Sequence, residues 1–155
     1  MNLGASAGLI IGLIVGCALA AQGAMNAKLA DQIGGALPAA TWSFSVGLLT
    51  LLLIYGVLNK PIPSISDFQS APWWALLGGL AGASVVTGAA FFVPKIGVTT
   101  WLGAIIAGQL VAAILIDHFG ALGTEVRQIN LTRIGGAVLL GLGVWLVQKG
   151  GQQGT

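Results

Sequence analysis

Apolar residues run along this chain in five long stretches, and nearly all charged residues collect in the short joints between them. A helix crossing a bilayer needs about 20 mainly apolar residues, because the hydrocarbon core is about 30 Å thick and each residue rises about 1.5 Å. The pattern predicts spans over residues 3–27, 37–58, 72–93, 98–116 and 131–147. Lys28 and Asp31 mark the exit of the first. Asn59-Lys60-Pro61-Ile62-Pro63 ends the second, since two prolines exclude a continuing helix. Pro72 suits a first helical turn and opens the third, with Trp73 and Trp74 at interfacial depth. Pro94-Lys95 closes it. The fourth ends on Asp117-His118-Phe119-Gly120, a polar group followed by a helix-stopping glycine. Gln148 and Lys149 end the fifth, leaving 150–155 as a frayed tail. The expected fold is an all-α integral membrane protein, one five-span domain over residues 1–155.

Composition agrees. With 56% hydrophobic and 6% charged residues among 155, the chain lies far from the roughly 25% charge of soluble domains. The net charge of +2 comes from singly scattered residues, so no nucleic-acid partner is expected. Cys17, the lone cysteine, lies in an apolar run and cannot form an intrachain disulfide. Residues 14–17 and 18–20 loosely resemble cleavage boxes, but residues 1–27 carry no Lys or Arg. A cleaved signal has a basic leading region, so the first stretch is expected to remain a span.

An odd number of spans places joints alternately on two membrane faces. Lys60, Arg127 and Arg133 fall on one, and Lys28, Lys95 and Lys149 on the other. Membrane proteins take their orientation from Lys and Arg bias in such loops, and here the bias is nil. Dual topology follows, unless packing or a partner sets one orientation. Five spans also enclose little interior, so a cavity is built more readily by two copies.

Gly4, Gly8, Gly12 and Gly16 recur every fourth position in the first span, a pattern that lets helix backbones approach closely in lipid. Gly78 with Gly82, and Gly103 with Ala107, repeat it more briefly. Gln22 and Asn26 share a different face, since i and i+4 side chains neighbour one another on a helix. That face is turned about 200° from the small residues. It suits a solute-facing wall or hydrogen bonding across a helix interface.

Gln109 lies near the middle of the fourth span, with Trp101 and Asp117 eight residues to either side on a broad stripe. An amide at that depth is costly unless satisfied, which makes Gln109 the foremost site candidate. Thr41-Trp42-Ser43-Phe44-Ser45 opens the second span, and Trp42 with Ser43 could add stacking and hydrogen bonds. Trp42 also fits an interface anchor. Ser84 and Thr87 are expected to bond their own helix backbone. No ionisable residue lies in the central half of any span. Any coupling group would be Asp117, His118 or Asp31 at the span ends. Catalysis is not expected, and neither a metal nor a cofactor, because the chain offers no triad, ligand cluster or phosphate loop.

Gln22 through Asn26-Ala27-Lys28-Leu29, Ser43-Phe44 with Gly47, Gly108-Gln109, Asp117-His118-Phe119-Gly120 and Arg133-Ile134-Gly135-Gly136 together resemble the YdcZ family. These are bacterial inner-membrane proteins, five-span members of the drug/metabolite transporter superfamily. The resemblance implies an EamA-like half-unit and a role in solute export. The combined expectation is a transporter of a small organic solute, working by alternating access as an inverted homodimer, or paired with a related half-unit, in membrane lipid. A small ion channel of dual topology, or a membrane scaffold, is the alternative.

Overall fold

A computed structural model describes residues 3–151, with side-chain surroundings from residue 6 onward. Its α-helices are α1 (Leu3–Ile33), α2 (Ala36–Val57), α3 (Ile65–Ser70), α4 (Gly78–Ile96), α5 (Val98–Phe119) and α6 (Leu131–Gly151). Five stretches are long and apolar enough to cross a membrane: Ser6–Ile33, Ala36–Val57, Trp73–Ile96, Val98–Phe119 and Leu131–Gly151. The chain is an all-α five-span protein, as the apolar pattern predicts. The ends of the spans differ.

α1 continues past Lys28 and Asp31 to Ile33. Charged side chains end the apolar stretch without ending the helix, and the break waits for Gly34 and Gly35. Their φ values of 91° and 120° are open to glycine and strained for other residues. The Gly35 N–H then closes on the Ala30 carbonyl at 2.8 Å. Pro72 stands just outside its helix, with extended ψ of 136°, and a 3-10 turn over Trp73–Leu77 leads into α4. α4 runs through Pro94 to Ile96. α5 reaches Phe119 and α6 reaches Gly151, so the first two residues of the expected frayed tail are helical. Residues 152–155 lie outside the described residues.

The short helix α3 was not anticipated from the pattern. Its start is capped by Asp67, whose carboxylate accepts from the Ser64 N–H at 2.7 Å and the Ser64 hydroxyl at 2.8 Å. These bonds hold the Asp67 carboxyl below its ordinary range.

The helices fall into two compact units, Met1–Lys95 and Ile96–Thr155. Within the first, α1, α2 and α4 meet along a seam of small residues. Ala30, Ala39 and Ala90 form its centre, with Ala27, Ala40, Val86, Ala89 and Val93 also buried. No large side chain is fully buried among the described residues. Leu9, Leu13, Leu53 and many other large apolar residues point outward. Lipid tails are as apolar as leucine, so such a protein gains little by burying them.

In the second unit α5 and α6 form a hairpin. They pack tightly at Gly103, the buried residue of α5, against Val144. Gly120 ends α5 in the left-handed conformation, φ 60° and ψ 27°. Asn130 caps α6, its Oδ1 accepting from the Arg133 N–H at 2.9 Å.

Candidate functional site

Gln22 and Asn26 sit on one face of α1, and that face packs inward. Asn26 is only 5% exposed and Gln22 is half-buried. Gly23, Ala27 and Ala30 accompany them, and a Cβ on Gly23 would lie 3.9 Å from Ala89 and Val93. Of the two arrangements expected for the amide face of α1, it takes the one packed against helices of the same chain. Gly8, Gly12 and Gly16 face open space, with nothing within 4 Å of a Cβ built on them. Gly4 lies outside the residues whose side-chain surroundings are described. The reason is local: small residues on the amide side, at 23, 27 and 30, already let α2 and α4 approach.

Asn26 has no counterpart for its amide. Its Nδ2 is buried and has no hydrogen-bond partner. Four hydroxyls in the spans are satisfied on their own helices. Thr41, Ser45, Thr50 and Ser84 each donate to the carbonyl four residues earlier, at 2.8 to 3.0 Å.

A groove of about 500 Å³ runs along the first unit, lined by Leu37, Ala40, Thr41, Phe44, Ser45, Leu48, Ala83 and Thr87. A neighbouring hollow of about 420 Å³ includes Trp42 together with Ile33, Leu37, Pro38, Thr41 and Ser45. Trp42 is largely exposed and Ser43 half-buried. Ser43 lines neither hollow, whereas Thr41 and Ser45 line both. The signal for them was present: Leu37, Thr41, Ser45 and Leu48 recur at helical spacing, and Ala40 and Phe44 fill the same face.

In the second unit Gln109 is exposed on α5, while Trp101 is half-buried. Exposure thus varies along the stripe expected for Trp101, Gln109 and Asp117. Gln109 lacks a hydrogen-bonded side-chain partner among the described residues. Asp117 pairs with Arg133 at the α5–α6 joint. Arg133 Nη1 also donates to the Arg127 carbonyl at 3.0 Å, and the Arg127 N–H returns to the Asp117 carbonyl at 2.8 Å. His118 Nδ1 accepts from the Ile129 N–H at 3.3 Å, with its ring edge-on to Phe119. Two of the three candidate coupling groups are thus engaged in holding the joint. Asp31 is exposed near the end of α1.

Elsewhere Lys95, Lys149 and Arg127 have local partners. The Lys95 ammonium lies 3.3 Å from the centre of the Phe91 ring, and that of Lys149 lies 5.2 Å from Trp145. Arg127 pairs with Glu125 at the surface.

A family model described as "Putative inner membrane exporter, YdcZ" matches residues 7–146. The chain is also 32% identical over 81 residues to the Inner membrane protein YdcZ of Escherichia coli (strain K12), covering 52% of this chain and 54% of that protein. The match to this curated relative thus spans about half its length. No solved structure gives a significant match. The family match extends over all five apolar helices. The chain belongs to the YdcZ family and is a multi-pass inner-membrane protein.

Proposed function

We propose that this chain is half of a carrier for a small, neutral or weakly charged organic solute, and that the other half is the same chain inverted. Alternating access then arises from rocking of the two copies around a cavity near the midplane. The observation that carries this reading is the exposed amide of Gln109 in mid-span, unpartnered among the described residues. In hydrocarbon such a group needs a second chain or a solute beside it. The even split of Lys and Arg between the two faces supports inversion. The candidate hydrogen-bond donors and acceptors are Gln22 and Asn26 in the first unit and Gln109 in the second, with Trp42, Ser43 and Trp101 as candidate aromatic and polar walls of their own units.

The test is solute flux into liposomes carrying the purified protein, screened over a library of small organic compounds. Gln109→Ala should lower saturable flux by about tenfold or more while the dimer persists. Normal flux in that variant would place the site elsewhere.

A further inference from the structure

The observation that asks most of the fold is the sealed amide of Asn26. It is 5% exposed, its Nδ2 has no partner, and it is the buried side chain with an unmet polar atom among the described residues. The seam that this face of α1 joins is built from Gly23, Ala27 and Ala30 with Ala39, Ala89 and Ala90. Small side chains let the helix backbones approach closely there. The closed seam therefore leaves no room for a partner beside Asn26 and carries a group it cannot satisfy.

We propose that Asn26 is the trigger by which a solute opens this seam, an inference that rests on the carrier reading and names the chemistry of its solute. Ala40 is buried beside Ala39 and also lines the groove, so the groove reaches the seam. The groove holds no charged side chain, and its Thr41 and Ser45 hydroxyls already donate to backbone carbonyls. What they still offer are lone pairs, while Asn26 offers a donor. The matching ligand has a carbonyl or hydroxyl oxygen for Asn26, an N–H or O–H for Thr41 or Ser45, and an apolar body for Phe44 and Leu37. A small neutral amide or alcohol fits. Parting of the helices gives Asn26 its first hydrogen bond, so the solute stabilises the open form more than the closed one.

The experiment uses the full chain in liposomes, with Cys17→Ser as background and Ala90→Cys or, separately, Ala40→Cys as a reporter of opening. Asn26→Thr is close in size, and its hydroxyl can bond the Gln22 carbonyl as the other span hydroxyls do. Labelling by N-ethylmaleimide should be about tenfold slower in Asn26→Thr, with Tm equal or higher, because an unmet buried donor has been removed. Benzamide should speed labelling of the Asn26 protein and leave Asn26→Thr unchanged, whereas ethylbenzene should speed neither. Equal labelling of the two proteins, a lower Tm for Asn26→Thr, or no response to benzamide would overturn the proposal. These measurements need no transport, so solute flux in the same liposomes judges the carrier reading separately.

Discussion

Val144 occupies the space that a side chain on Gly103 would need: a methyl group there would lie 2.6 Å from its Cγ1. This contact sets how closely α5 and α6 approach. Gly103→Ala should destabilise the hairpin by about 1–3 kcal/mol, the usual range for overpacking. Val144→Ala in the same chain should restore much of the loss, a coupling that thermal unfolding of the two single variants and the double variant would expose.

The α5–α6 joint should open when Arg133 loses its charge. Arg133→Gln gives up the Asp117 pair and weakens the link to the Arg127 carbonyl. Amide hydrogen exchange at Arg127 and Ile129 reports this directly, because both N–H groups are bonded within the joint. Their exchange should rise at least about tenfold. Unchanged protection would mean that the backbone alone holds the joint.

Asp67 gives α3 a pH dependence. Its carboxyl is held below the ordinary range by hydrogen bonds from Ser64, so the folded value lies under the unfolded one. The cap is therefore fully present above about pH 4 and is lost as pH falls through the lowered value. Protection of the Ser64 amide should fall in that acid window, and Asp67→Asn should abolish the pH dependence.

Orientation can be read with reporters fused to the C-terminus. With Lys and Arg evenly divided between the faces, signal is expected on both sides of the membrane. Adding two lysines near Lys60 should bias the population to one side and reduce transport. Signal from one side alone would remove the self-paired dimer.

The spans were legible because a bilayer imposes a length and a composition that few other contexts share. Their ends were less so. Lys28 and Asp31 record where hydrocarbon stops, but α1 continues until Gly34 and Gly35 supply a conformation that halts it. The six residues of α3 are too few to show a period. On α1 the paired amides were visible by spacing, yet which face packs depends on the helices opposite, and one helix's sequence does not contain them. Asp117 and Arg133 both stood out in the sequence, and only the fold joins them across the turn. Gly103 was seen as a small residue at helical spacing. That it meets Val144 is a property of the hairpin.

Cations at the two kinds of joint are held by different chemistry. Arg133 and Arg127 lean on carboxylates, whereas Lys95 and Lys149 lean on aromatic rings. In an inverted pair, each side of the membrane would present the carboxylate-held joint of one copy and the ring-held lysines of the other. Both sides would then carry the same set of anchors.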